Sequence, residues 1–311
     1  MKRVASRPSR RTVLALGTGG LAALGLGAAG QASAAPRPAE GPATVRRLRE
    51  MEREHGARIG VYARNLVTGR TVVNRAEETF PVCSVFKPLA AAAVLRDLDR
   101  DGEFLARRVH YTAAEVEAAE WAPVTKDHVA DGMTIEALCA AAVSQSDNLA
   151  GNLLLRELGG PTGITRFARS LGDRVTRLDR WEPTLNSAEP WRVEDTTSPR
   201  AIGETYVRLL LGNALARKDR DRITGWLLAN TTNTQRFKAG LPGWTLADKT
   251  GGGNAYGVAN DVGVVWSPAG VPVVMAVLTT RPEAPQGPND SKLVADTARL
   301  LGEAVLDAGH A

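Results

Sequence analysis

Cysteine is scarce in this sequence, with two residues among 311. A small domain held together by disulfides needs more, so that class of protein is excluded. Histidine is scarce as well: His55, His110, His128 and His310 show none of the His-x-His or His-x-x-x-His spacings that zinc sites use. We therefore predict no metal site, and we expect no cofactor. The composition, 43% hydrophobic and 23% charged, is typical of a globular chain with one large domain or two packed subdomains.

A large excess of charge is also missing once the first residues are set aside. Five of the 39 basic residues lie in residues 1–34, which contain no acidic residue, so the rest of the chain has 34 basic and 34 acidic residues. Nucleic-acid binding depends largely on basic residues that neutralise phosphates. The balanced charge therefore predicts no nucleic-acid partner.

The apolar run Val13–Ala29 is glycine-rich and too short for a typical membrane-spanning helix. Arg10-Arg11 precedes it, and Ala32-Ser33-Ala34 follows it with the small residues that signal peptidase accepts. These features predict that residues 1–34 are a twin-arginine-type signal peptide, cleaved near Ala35. An uncleaved membrane anchor is the alternative. We expect the mature chain to be secreted or periplasmic, without stable membrane association.

Strand patterns lie towards both ends of the remaining chain, and helical patterns lie between them. Helices are predicted over Thr44–His55 near the start, over Ser84–Leu98, and over Ser291–Leu306 at the end. The predicted strands are Arg58–Asn65, Arg70–Asn74, Thr245–Lys249, Tyr256–Trp266 and Val271–Thr279.

This order of elements predicts an α/β (α+β) fold. A five-stranded antiparallel sheet is flanked by the terminal helices, and an all-helical subdomain is added to it. Within one domain over residues 35–311, we place the α/β part at about 43–75 and 230–311 and the helical part at about 76–229. A cleft between two such halves is a usual place for a functional site.

The first motif that carries chemistry is Ser84-Val85-Phe86-Lys87. A serine hydroxyl is a weak nucleophile at neutral pH and needs an adjacent base. In a helix, Lys87 lies on the same face as Ser84, and the helix N-terminus offers free N–H groups to a developing oxyanion. The alternative is a capping serine followed by a surface lysine.

The second motif is Ser146-Asp147-Asn148, where a helix predicted over Ile135–Val143 is followed by one predicted over about Asn148–Leu158. Ser146 and Asn148 lie on one side only if the backbone is locally extended or turned, and Asp147 then points the other way into structural hydrogen bonds. A hydroxyl and an amide side by side can relay a proton and hold a substrate amide. The alternative is a polar helix cap.

The third motif is Lys249-Thr250-Gly251, at the end of a predicted strand. Gly251 is followed by Gly252 and Gly253, and these residues let a ligand approach the strand edge closely. Lys249 and Thr250 can bind a carboxylate. The alternative is a strand end followed by a glycine turn.

Together, in this order, the three motifs are those of serine β-lactamases and penicillin-binding proteins. The sequence resembles class A β-lactamases over nearly the whole mature chain. The resemblance implies the serine β-lactamase/transpeptidase fold, and hydrolysis of the β-lactam ring of penicillins and cephalosporins through a Ser84 acyl-enzyme. It further implies antibiotic resistance, a small-molecule β-lactam substrate and a monomer.

A fourth group, Arg177–Asn186, is similar to the Ω-loop of that family. Glu182 and Asn186 are four residues apart, so one helical turn faces both towards a shared water, from which a carboxylate can take a proton. The resemblance implies that Glu182 and Asn186 serve deacylation, which penicillin-binding proteins lack. A solvated acidic loop is the alternative, and a peptidase, transpeptidase or inactive penicillin sensor remains the alternative function.

The resemblance also implies the remaining roles. Lys87, or Glu182 through water, is the base for acylation. Backbone N–H groups of Ser84 and Gly252 hold the oxyanion, while Ser146 gives a proton to the leaving nitrogen. Asn148 holds the substrate amide, and Lys249-Thr250-Gly251 binds the substrate carboxylate.

Four further positions are assigned by resemblance. Arg180 and Asp195 pair across the neck of the loop, where two unrelated surface charges are the alternative. Arg236 assists carboxylate binding, or is a surface arginine. Trp121 guards the mouth of the cleft, or is a core tryptophan.

The two cysteines lack the partners that relatives provide. By the resemblance, the partner positions of Cys83 and Cys139 are occupied here by Gly253 and Ala91. We therefore predict two free thiols, in small buried apolar side chains.

Overall fold

The computed structural model describes residues 42–307. The predicted signal peptide, residues 1–34, lies outside the described residues. The α-helices are α1 (Pro42–His55), α2 (Lys87–Ala93), α3 (Glu103–Ala106), α4 (Ala113–Ala118), α5 (Ile135–Ser144), α6 (Asn148–Glu157), α7 (Thr162–Ser170), α8 (Pro199–Leu210), α9 (Arg217–Leu228), α10 (Phe237–Gly240) and α11 (Ser291–Leu306). The strands are β1 (Arg58–Asn65), β2 (Thr71–Asn74), β3 (Phe80–Pro81), β4 (Arg108–Val109), β5 (Met133–Thr134), β6 (Thr196–Thr197), β7 (Thr245–Gly252), β8 (Ala259–Trp266) and β9 (Pro272–Thr280).

The main sheet has the order β2-β1-β9-β8-β7, and each neighbouring pair in it is antiparallel. The first and last parts of the chain therefore meet at the β1–β9 pair, where Val61 lies opposite Val277. The predicted five-stranded antiparallel sheet is confirmed. The region about 76–229 is mainly helical, and it also contains the short pairs β3–β6 and β4–β5.

Both faces of the sheet are buried, which explains the apolar run in β9. Because side chains alternate along a strand, every second residue faces the same side. Val273, Met275 and Val277 share one core with residues of α1 and α11, such as Leu48 and Leu301. The intervening residues belong to the larger core on the helical side: Val274, Ala276 and Leu278.

Two predicted strand ends are wrong by three residues, and one predicted helix is divided; the other predicted ends of these helices and strands differ by at most two residues. The strand predicted to end at Lys249 continues to Gly252, because Gly251 and Gly252 pair with residues of β8. The strand predicted from Tyr256 begins at Ala259, since the backbone of Tyr256 is left-handed, with φ of 51°. The helix predicted over residues 84–98 consists of a 3₁₀ turn over Cys83–Phe86, then α2, then a π-helical turn over Val94–Leu98.

Within residues 42–307, no helix has the length and apolar character that a membrane crossing requires.

Candidate active site

Ser84 is buried in the 3₁₀ turn that precedes α2. The turn is fixed from behind by Tyr206, whose hydroxyl donates to the carbonyl of Val85 at 2.9 Å. Ser84 makes no capping hydrogen bond. Its Oγ instead donates to Oε1 of Glu182 at 3.2 Å, although the two residues are 98 positions apart.

Lys87 lies one turn after Ser84 and is fully buried, so the surface-lysine alternative is wrong. Its Nζ donates to the carbonyl of Ser146 at 2.8 Å and to Oδ1 of Asn148 at 2.7 Å. The same nitrogen is 3.1 Å from Glu182 Oε1. Burial lowers the pKa of Lys87, and the adjacent Glu182 carboxylate partly opposes that shift.

The second motif lies where α5 gives way to α6, and it contacts Lys87 of α2. Asp147 points away from the cleft: it caps α6 through the N–H of Ala150 and accepts hydrogen bonds from the backbone of Val124 and Thr125. Ser146 has a left-handed backbone, with φ of 58°. This turned geometry lets Ser146 and Asn148 both contact lysines of the site. The structural hydrogen bonds predicted for Asp147 are confirmed.

Lys249, on β7, is the second buried lysine of the site. Its Nζ donates to Ser146 Oγ and to the carbonyl of Thr250, both at 2.8 Å. Lys249 is fully buried. Burial lowers its pKa well below the usual value, and the positive charge of Lys87 lowers it further.

The glycines after Lys249 allow two close approaches. A Cβ on Gly251 would lie 3.1 Å from Val85 Cγ1 and 3.3 Å from the backbone nitrogen of Ser84. A Cβ on Gly252 would lie 2.9 Å from the carbonyl of Val258. Since real Cβ contacts are rarely that short, the missing side chain of Gly251 favours the close approach of β7 to the Ser84 turn.

Arg236 is buried, with 8% of its surface exposed, so the surface-arginine alternative is wrong. Its Nη1 donates to the carbonyls of Gly251 and Asn260, at 2.6 and 2.7 Å, and its Nε donates to Ser291 Oγ. Its Nη2 lies 3.1 Å from the position that a Cβ on Gly252 would occupy. A positive charge therefore lies at the edge of β7, behind the Lys249-Thr250-Gly251 motif.

Glu182 lies in the Ω-loop, which we take as residues 177–195. Its side chain is fully buried, so the solvated-loop alternative is wrong. Its Oε2 accepts a hydrogen bond from Asn186 Nδ2 at 2.6 Å. Its backbone is held by Asn152, whose side chain accepts from the N–H of Glu182 at 3.0 Å and donates to its carbonyl at 2.9 Å.

The neck of the Ω-loop is closed by Asp195. One carboxylate oxygen accepts from the N–H groups of Asp179 and Arg180, at 2.7 and 3.0 Å. The other accepts from Arg180 Nε at 2.5 Å. The predicted contact between Arg180 and Asp195 is therefore present, and the alternative of two unrelated surface charges is wrong.

Trp121 is 54% exposed, so it is not a core residue. Its indole nitrogen donates to the carbonyl of Gln145 at 3.2 Å, and its carbonyl accepts from the N–H of Asn148. Trp121 thus lies beside Asn148, with its side chain largely exposed.

Two polar residues of the site were missed by sequence reasoning. Asn152 follows Asn148 by one helical turn, and that spacing could have placed both on the cleft side of α6. Thr232 hydrogen-bonds Thr250 through the two hydroxyls. Its signal was weaker, since a threonine in a loop has no characteristic pattern.

Both cysteines are free and buried, as predicted. Burial raises the pKa of each thiol, which keeps it protonated. Among residues 42–307, no group of three or more His, Cys, Asp or Glu side chains is arranged to hold a metal ion.

Comparison with known proteins gives a consistent result. The model of the "Beta-lactamase enzyme family" matches residues 43–305. A protein named "Beta-lactamase" from Streptomyces lavendulae is 62% identical over 304 residues, covering 96% of this chain and 98% of the relative. The solved structure of a beta-lactamase from Streptomyces albus G is 60% identical, with a TM-score of 0.82, covering 85% of this chain and 99% of that one.

A more distant solved structure, a beta-lactamase from Streptosporangium roseum, is 43% identical, with a TM-score of 0.81, and covers 85% of this chain and 99% of that one. The match therefore extends over the sheet, the helical part and the cleft between them. The chain belongs to the beta-lactamase enzyme family, of the class A type that its motifs resemble.

Proposed function

We propose that this protein hydrolyses the β-lactam ring of penicillins and cephalosporins through an acyl-enzyme on Ser84, released by water that Glu182 activates. One observation carries the proposal: Glu182 Oε1 is 3.2 Å from Ser84 Oγ and 3.1 Å from Lys87 Nζ. The nucleophile Ser84 and one candidate base, Lys87, therefore both contact the carboxylate of the other candidate base, Glu182. A transpeptidase or an inactive sensor has no use for a carboxylate at that position.

In acylation, Ser84 Oγ attacks the lactam carbonyl, and its proton passes to Lys87 or, through water, to Glu182. Backbone N–H groups of Ser84 and Gly252 stabilise the oxyanion, a contribution of about 3–4 kcal/mol per donor in well-studied enzymes. The C–N bond of the ring then breaks. Ser146 gives its proton to the leaving nitrogen, supported by the 2.8 Å hydrogen bond from Lys249. The base then passes the proton that it took from Ser84 on to Ser146, so Glu182 is a carboxylate again before deacylation.

In deacylation, Glu182 takes a proton from a water whose oxygen attacks the ester carbonyl, and the proton returns to Ser84 as the ester bond breaks. Asn186 supports this step. Its Nδ2 donates to Glu182, and its Oδ1 is a buried acceptor without a protein donor among residues 42–307. Because buried acceptors are normally hydrogen-bonded, a water that donates to both side chains fits this position.

Substrate binding follows from the groups around the cleft. Asn148 accepts from Lys87 through Oδ1 and lies where it can hold the acyl-side amide of the substrate. Lys249, Thr250 and the charge of Arg236 converge on the edge of β7 and suit the substrate carboxylate. Trp121 at the rim can pack on the substrate ring.

We propose that the protein acts outside the cytoplasm, exported by residues 1–34 through the twin-arginine route, as a monomer. Hydrolysis there destroys β-lactams before they reach the cell wall enzymes, which confers antibiotic resistance. The twin-arginine-like Arg10-Arg11 and the cleavage-like Ala32-Ser33-Ala34 support this part of the proposal.

Glu182→Ala tests the mechanism. We expect the variant to react with benzylpenicillin and to accumulate a covalent adduct on Ser84, which intact-mass spectrometry detects, while steady-state turnover falls by about 10²–10⁴-fold. Glu194→Ala, an exposed carboxylate of the same loop, is the matched control and should turn over normally. Rapid turnover by Glu182→Ala, without adduct, would refute the role of Glu182.

A further inference from the structure

A small apolar cluster lies directly behind Ser84 and is separate from the two large cores. Its buried members are Cys83, Ala188, Tyr256 and Val258. They come from three segments: the residue before the nucleophile, the Ω-loop, and the connection between β7 and β8. We call this group the Tyr256 cluster. It is therefore the place where the Ω-loop is packed against the edge of the cleft that β7 forms.

Trp191, on the Ω-loop, covers the outer side of the Tyr256 cluster. Its ring centroid is 6.4 Å from that of Tyr256, and the ring planes meet at 85°. This is the edge-to-face arrangement that aromatic rings favour. Trp191 is otherwise 75% exposed, so the contact with Tyr256 gives this large apolar side chain a defined position.

Tyr256 itself is fixed by its backbone. Its N–H donates to the carbonyl of Pro285 at 3.1 Å, and its carbonyl accepts from the N–H of Arg281 at 2.6 Å. The hydroxyl of Thr280 donates to the same carbonyl. Tyr256 is thus anchored to the end of β9, and Trp191 is the member of the aromatic pair that belongs to the Ω-loop.

The same two segments also approach each other at the cleft. A Cβ on Gly253 would lie 3.4 Å from both Cβ and the carbonyl oxygen of Asn186. Asn186 binds Glu182, and Gly253 follows Gly252, whose N–H we assign to the oxyanion. Under the proposed function, the narrow slot between Asn186 and Gly253 borders the acyl group of a bound substrate, and we infer that its width depends on the position of the Ω-loop.

We propose that Trp191 is a specificity-determining residue: by packing on Tyr256 it keeps the slot between Asn186 and Gly253 closed against bulky, branched acyl side chains. The inference rests on the proposed function of the site. Trp191 touches none of the groups that we assign to bond making or breaking, so it acts through the position of the Ω-loop.

Trp191→Ala tests the inference, with Trp191→Phe and Val193→Ala as companions. Phenylalanine retains an aromatic edge for Tyr256. Val193 is an exposed apolar residue two positions along the same loop, so it controls for loss of surface apolar area. The substrates are benzylpenicillin and a cephalosporin with a branched oxyimino acyl side chain, and kcat and KM are measured separately for each.

For Trp191→Ala we expect the ratio of kcat/KM for the cephalosporin to that for benzylpenicillin to rise about 2- to 10-fold, the factor that corresponds to an edge-to-face pair. Trp191→Phe and Val193→Ala should keep the wild-type ratio. Amide hydrogen exchange of residues 186–192 and 253–258 should accelerate by a similar factor in Trp191→Ala alone.

The exchange measurement separates failure of this inference from failure of the proposed function. If wild-type protein does not hydrolyse benzylpenicillin, the function is wrong, while faster exchange in Trp191→Ala would still support the coupling of the two segments. If the wild type is active but Trp191→Ala leaves the substrate ratio unchanged, or changes it no more than Val193→Ala does, Trp191 does not determine specificity.

Discussion

Replacement of Asp195 by asparagine removes one charge from the neck of the Ω-loop and changes little else. The two side chains have almost the same shape, and the left-handed backbone of Asp195, with φ of 54°, suits asparagine as well as aspartate. Backbone strain therefore does not confound the comparison. The amide oxygen can still accept from the N–H groups of Asp179 and Arg180. The amide NH₂ then faces Arg180 Nε, and because both groups are donors, the hydrogen bond between them is lost.

The expected effect follows from the one hydrogen bond that is lost. A hydrogen bond to a charged group contributes about 1.5–3 kcal/mol. Breaking a wholly buried ion pair costs about 3–5 kcal/mol. Because the Arg180 side chain is 22% exposed, water can reach the guanidinium, and the lower range applies. The population of loop-open molecules should then increase by about 10- to 150-fold.

Native-state amide hydrogen exchange measures that population at the amides of Asp179 and Arg180, whose acceptor is Asp195 itself. Glu194→Gln removes a neighbouring, exposed carboxylate and is the control. Turnover of benzylpenicillin by Asp195→Asn should slow at deacylation, so acyl-enzyme should accumulate. Exchange within about 2-fold of wild type at both amides, with normal turnover, would show that the neck does not hold the loop.

Two further predictions concern buried titratable groups. Burial and the neighbouring Asp248 raise the pKa of Asp261 well above its usual value, so the folded state keeps a proton that the unfolded chain releases near pH 4. The free energy of unfolding should therefore decrease as the pH rises above about 4. In urea unfolding of Asp261→Asn, that decrease should be smaller between pH 5 and 8. The same pH dependence in the variant and the wild type would contradict the prediction. Burial also raises the pKa of both thiols, so Ellman's reagent should label neither Cys83 nor Cys139 in the native protein and both in denaturant, and rapid native labelling would contradict their burial.

The sequence was informative where the signal is local. The apolar run of β9 and the three-residue spacing of Ser84 and Lys87 are signals within a few residues, and both are present in the structure. The end of β7 could not be predicted in the same way. Glycines weaken a strand in isolation, yet pairing with β8 carries β7 through Gly251 and Gly252.

The alternatives that the sequence left open at Lys87, Glu182 and Arg236 were questions about burial. Burial depends on which distant segments pack together, and no pattern within a few residues contains that information. Arg236, for example, is enclosed by carbonyls of β7 and β8, which lie 15 and 24 residues further along the chain. Only the assembled sheet distinguishes it from an exposed loop arginine.

Three polar residues that fix the backbone of the site have a feature in common. Asp147, Asn152 and Asp195 each use a short polar side chain to bind backbone N–H groups beside a reacting or loop-closing residue. Their role is to fix the backbone. A short side chain has few rotamers, so its oxygen holds the backbone N–H groups that it binds in one position. A misplacement of about 1 Å can cost about 100-fold in rate, so these acceptors matter for catalysis without touching the substrate.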